Sequence, residues 1–253
     1  MLLFLRESLS DVYYRQSPQA RKEYFHGERN VVFKDIFDLQ GISYFINSLY
    51  MDVNFYNNAV DLLTMQFTSP LSSIAPNLYR FYIQDTVKID STPCVHLYFA
   101  PRNKTDLAFI GHLWVAIDST YALRKIEAGI PKDINLNWVN EMEISQEYSW
   151  VGDAPDNRAL MLSKDEIFMD FGLFRGDSTR SLLGNKTTSY QKYELNKPLP
   201  DSLFNTPLAA IRDVGAESRD STFWRRNRHI ALSRTEKGLE RTLDTLYKNR
   251  SFR

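Results

Sequence analysis

The run Val95–Asp118, VHLYFAPRNKTDLAFIGHLWVAID, decides the fold. Val95, Leu97 and Phe99 alternate with His96 and Tyr98. After a polar interval, Phe109, Gly111, Leu113, Val115 and Ile117 keep the same beat. Side chains along a strand point to opposite faces in turn, so this spacing predicts two strands with one apolar face each. Just upstream, Tyr79, Phe81 and Ile83 alternate in the same way. Consecutive period-two segments predict an antiparallel meander with one face on a core.

The tetrapeptide IDST occurs at Ile89–Thr92 and again at Ile117–Thr120. Asp and Ser bond to nearby backbone, so each copy predicts a chain reversal. Further strands are expected over Glu141–Trp150, Ala159–Phe171 and Lys186–Leu195, with GDAPDN (152–157) and RGDSTRSLLGN (175–185) as hairpin loops. LLFLRESLSDVYYR (2–15) also reads as strand. Leu39, Ile42, Phe45, Ile46 and Leu49 share one face of a helix over 38–49. FTSPLSSIAPN (67–77) reads as a loop. Near the other end, Ser233 and Glu236 have capping-box spacing, and Leu239, Leu243, Leu246 and Tyr247 would line the helix that follows. The expected class is α+β, a curved antiparallel β-sheet with packed helices. It would form one domain over 1–253, with an N-terminal elaboration (1–77), a meander core (78–195) and a helical end (223–250).

Composition fits this class. The 16 Phe and 14 Tyr lean towards sheet, and hydrophobic (43%) and charged (25%) contents are those of a globular chain. Cys94 is the one cysteine, so no intrachain disulfide can form. No run approaches the roughly 20 apolar residues of a spanning helix, and MLLFL is too short for a signal-peptide core. A cytoplasmic protein, or a piece whose export signal lay upstream, would both look like this. Net charge is zero, yet Phe223–Arg253 carries nine Lys and Arg against three acids. Such an end can lie as a solvated helix face or meet phosphates.

The chemistry-bearing candidates are few. A symmetric hairpin centred near Lys104 would set His96 opposite His112, within reach of a shared metal. A stable site needs a third or fourth ligand that the sequence does not offer nearby, so the pair reads as structural beside Tyr98 and Trp114. Glu141 and Glu143 share a strand face with no apolar enclosure and read as solvated. Cys94 has nothing beside it to lower its pKa. There is no nucleophile elbow, P-loop or dinucleotide fingerprint. Arg175–Ser178 spells RGDS, which also suits a hairpin loop. No catalytic residue, metal or cofactor is assigned, and no nucleic-acid partner is expected. Tyr79, Phe81, Ile83, Leu97, Phe99, Phe109, Leu113 and Val115 would form the apolar sheet face. A lipid cavity and a packed core draw on the same side chains, so the alternation leaves both readings open.

FTSPLSSIAPNLYRFYIQDT (67–86) and VHLYFAPRNKTDLAFIGHLWVAIDSTYALRKI (95–126) resemble a family of unknown function from Gram-negative envelope proteins. So do PKDINLNWVNEMEISQEY (131–148), TTSYQKYELNKPLPDSLF (187–204), ESLSDVYYRQSPQARKE (7–23) and the pair Phe223-Trp224. The resemblance implies a periplasmic region between a carboxypeptidase-regulatory-like β-sandwich and an outer-membrane β-barrel of the same polypeptide. It carries no catalytic residues. The strand pattern is also similar to the half-open sheet of the periplasmic lipoprotein carriers LolA and LolB, which implies a concave face for a lipid or acyl chain. In that setting Arg225, Arg226 and Arg228 would face membrane phosphates, close to the bilayer without spanning it. The alternative role is a structural or protein-interaction platform between sandwich and barrel.

Overall fold

A computed structural model of the protein describes residues 4–32, 46–152, 157–172, 181–233 and 236–238. The chain divides into two compact units, Met1–Phe37 with Lys197–Arg253, and Asp38–Asn196. The meander lies inside the second, and residues 38–77 belong with it.

In the first unit, β1 (Phe4–Arg15) and β2 (Ala20–Val32) form an antiparallel pair. The three-residue strand β12 (Ala210–Arg212) joins β2 in parallel. The strand expected over 2–15 is therefore β1. A seven-residue helix, Ser221–Asn227, follows, and the Asp220 carboxylate caps it by accepting from the Phe223 amide. The capping box is formed, with Ser233 N donating to Glu236 at 2.7 Å and Glu236 N to Ser233 Oγ at 3.3 Å. The apolar residues assigned to that helix, from Leu239 onward, lie outside the described residues.

In the second unit, β3 (Ala59–Leu62) and β4 (Met65–Thr68) make a small hairpin. Then β5 (Tyr79–Ile89), β6 (Thr92–Pro101), β7 (Ile110–Ala116), β8 (Leu123–Gly129), β9 (Val139–Val151), β10 (Ala159–Gly172) and β11 (Ser181–Ser189) follow. They form one seven-stranded antiparallel sheet in chain order, with β5 and β11 at its edges. The protein is mostly β, and this sheet is not closed. Bulges interrupt the ladders between β5 and β6, β7 and β8, and β9 and β10, and each raises the local twist. The first IDST copy is a two-residue hairpin turn with Asp90 and Ser91 both at positive φ, as a primed turn requires. In the second copy Asp118 accepts from the Thr120 amide at 2.8 Å.

Two expectations need correction. β11 begins at Ser181 and ends at Ser189, so Ser181–Asn185, expected in a loop, are strand, and Tyr190–Leu195 are not. Across β6 and β7 the register is Val95↔Val115 and Leu97↔Leu113, a two-residue slip that keeps the paired side chains on their expected faces, while Phe109 and Ile117, expected in the second strand, lie outside β7 and Ile117 is exposed. The slip arises because Ala108 and Phe109 are drawn out of the hairpin. Ala108 bridges to Thr68, and the Phe109 amide donates to the Tyr79 hydroxyl at 2.9 Å. The helix over 38–49 falls mostly outside the described residues, of which 46–49 are helical. Phe55, Val60, Leu62 and Phe67 join the inward residues of the sheet in one core.

Candidate functional site

The eight apolar candidates share the inward face but not one fate. Tyr79, Phe99, Phe109 and Leu113 are fully buried core residues. Phe109 meets Phe55 edge-on at 5.2 Å and Phe67 at 5.3 Å, while Tyr79 meets Phe99 at 5.7 Å. Tyr79 also ties distant backbone together, donating to Thr68 O at 2.5 Å while accepting from Phe109 N. Burial holds its hydroxyl well above the usual tyrosine range. Leu97 and Val115 are half-buried against the core. Phe81 (38% exposed) and Ile83 (75% exposed) on β5 are open to solvent. The inward face is thus filled over most of its width and bare along one edge.

Elsewhere in this unit a cavity of about 100 Å³ is lined by Leu63, Met65, Leu136, Trp138, Val139 and Phe171. That space suits a few waters, and none of the eight candidates lines it.

The opposite face of the sheet carries the histidines. The register sets Trp114, not His112, directly across from His96, and Tyr98 across from His112. His96 and His112 still meet, on the diagonal, with His96 Nε2 and His112 Nδ1 2.9 Å apart. Asp85, brought to this face by the β5 bulge, lies 2.9 Å from His96 Nδ1. The Trp114 indole stacks on His96 at 4.6 Å with the planes 3° apart, and Lys125 sits 5.1 Å from the indole centre. Burial, and then the neighbouring His96, push the His112 imidazole below its usual pKa. Asp85 and Lys125 were not anticipated, because a bulge changes parity without any mark in the apolar pattern.

A second group missed from sequence lies in the core. Gln146 donates to Asp165 at 2.9 Å and to Val53 O at 2.8 Å, and accepts from Tyr148 at 2.8 Å. Lys186 reaches the other Asp165 oxygen at 3.2 Å. Its signal was available: Gln146 occupies an inward position between Ile144 and Tyr148.

Cys94 is buried, and burial raises its thiol pKa. Glu141 and Glu143 are exposed, as expected. Arg225 and Arg226 are exposed on the Ser221–Asn227 helix, whereas Arg228 is half-buried and grips Glu7 at 2.5 and 2.8 Å. RGDS lies outside the described residues. Among the described residues, no group of three or more His, Cys, Asp or Glu side chains is arranged to hold a metal ion. No helix among them is long and apolar enough to cross a membrane.

Fold and site together define an open antiparallel β-sheet protein with a self-filled inner face, an apolar bare edge and an aromatic–imidazole outer face. The sequence profile of the Family of unknown function (DUF5686) matches residues 1–193, and the chain belongs to that family. No curated protein and no solved structure matches it.

Proposed function

We propose that the chain is a non-enzymatic platform of a Gram-negative envelope protein, receiving an apolar extended segment along β5. The carrying observation is the exposure of Ile83 and Phe81 on the inward side of an edge strand. An unpaired edge offers backbone donors and acceptors to an incoming strand, and an adjacent apolar strip gives that strand something to bury. What supports a periplasmic setting is the resemblance noted in the sequence, and on that reading an outer-membrane barrel of the same polypeptide would supply the segment.

The competing reading, a lipid or acyl chain held in a half-open, carrier-like barrel, asks for an apolar hollow. Phe55, Leu62 and Phe67 occupy the inner face where that hollow would lie, which favours the platform. A photo-crosslinking residue introduced at Ile83 tests the choice in living cells, and it is expected to capture a protein segment. Capture of lipid alone would favour the carrier, and no capture of any kind would remove both.

A further inference from the structure

We propose that the outer face of the sheet holds one divalent transition-metal ion between the imidazoles of His96 and His112, with Asp85 orienting His96 from behind. Two nitrogens bound to one such ion at about 2.0–2.1 Å lie roughly 2.9–3.4 Å apart, depending on geometry. His96 Nε2 and His112 Nδ1 already stand at 2.9 Å. Only the directions of the lone pairs must change, by rotation of the two rings.

The tautomers favour this exchange. An ionised carboxylate only accepts, so the contact with Asp85 makes His96 Nδ1 the donor. In the neutral ring that leaves Nε2 bare, the arrangement that metal-binding histidines obtain from a carboxylate behind them. His112 Nδ1 then carries the hydrogen between the rings. When the ion enters, that hydrogen moves to His112 Nε2, and both facing nitrogens present lone pairs.

The supports are rigid. The two backbones are paired, with His96 on β6 and His112 on β7, adjacent interior strands of the sheet, so the ring rotation is confined to the side chains. Both imidazoles are half-buried, so solvent reaches them. Glu127 stands directly across from His112 in the β7–β8 pairing, with its carboxylate paired to Lys125 at 2.7 Å. With two protein ligands the remaining positions belong to water, so the affinity is modest. Imidazole donors select Cu²⁺, Ni²⁺ or Zn²⁺ over Ca²⁺ and Mg²⁺.

The test is calorimetric titration of the untagged full chain with Ni²⁺, Cu²⁺ and Zn²⁺. One ion per chain is expected, lost on His96→Ala or His112→Ala. Asp85→Asn should weaken binding about tenfold with the stoichiometry kept. His26→Ala serves as a control and should bind like the parent. Should either site variant fail to fold, the parent protein still decides. Cu²⁺ should protect His96 and His112 from diethyl pyrocarbonate and give a spin-resonance spectrum with two nitrogen ligands. Binding that survives both alanine variants, equal protection by Mg²⁺, or no binding at millimolar metal would each overturn the site.

Discussion

The two units are held together by different chemistry. The Asp38–Asn196 unit has an apolar core running from Leu49 through Phe55, Phe67 and Phe109 to Phe171. In the other unit, Phe25, Ala216 and Trp224 are the buried apolar residues among those described. Charge-assisted bonds fill the gap. Glu28 accepts from Arg6 and Arg212, each at 2.8 Å, and Glu7 from Arg29 at 2.7 Å and from Arg228. The buried Lys22 ammonium donates to the carbonyls of Thr206 and Leu208, fastening the returning chain to β2. Arg29 also lies 5.5 Å from the Trp224 ring centre. Three strands bury little apolar surface, so ionic contacts close the small sheet, whereas the seven-stranded sheet adds its ion pairs to an apolar core.

The largest expected effect is in the apolar unit. Phe109→Ala removes a fully buried ring touching Phe55 and Phe67, and should cost about 3–5 kcal/mol in urea unfolding. Ile83→Ala, on the bare edge, should stay within about 0.5 kcal/mol. Similar losses for the two would erase the distinction between filled face and open edge.

Next in size is the ionic unit. In Glu28, Arg212 and Arg6 overcome the effect of burial and hold the carboxyl below its usual pKa. Glu28→Gln leaves both guanidinium groups with weaker acceptors and should cost about 1.5–3 kcal/mol. Since the native pKa is depressed, this contribution is present above the unfolded value and fades as pH falls through the folded one. Hydrogen exchange resolved by unit should show β1 and β2 loosening in acid while β6 to β9 hold. Equal loosening of both would mean that the ion pairs are ornamental.

The difference also explains what could be read beforehand. Alternation announces strands whose inward side chains meet a core, so β5, β6 and β7 were legible with their faces, whereas β8 was not expected and no faces were assigned beyond Ile117. A slip of two residues preserves those faces, so the hairpin register was not legible. It depended on Ala108 and Phe109 leaving the hairpin for Thr68 and Tyr79. β12 has three residues and is defined by pairing in parallel with a strand far upstream, which no local pattern announces. The histidine pair was found through the wrong register, because diagonal neighbours across strands are also within reach of long side chains.

The smallest effect tests the ionic unit from the alkaline side. His26 on β2 lies between Asp213, 2.9 Å from Nδ1, and Asp11, 3.1 Å from Nε2. Carboxylates only accept, so both contacts are hydrogen bonds only when the ring is an imidazolium. The bond to Asp213 outweighs burial, Asp11 adds to it, and the pKa rises above 6.5. Arg219 competes for Asp213 from 3.6 Å, and it also donates to His26 O at 2.7 Å, so it stays close after the proton leaves. A raised folded value stabilises fully below the unfolded pKa and is lost as pH climbs through the folded one. The ring is 35% exposed, and solvent screening keeps the contribution under about 1 kcal/mol. As pH climbs from the usual imidazole value through the raised folded one, the β1–β2–β12 sheet should therefore lose a little protection in the parent protein and none in His26→Gln. A gain in protection over that window would mean that the ring is neutral, and that the unit closes around one carboxylate instead of two.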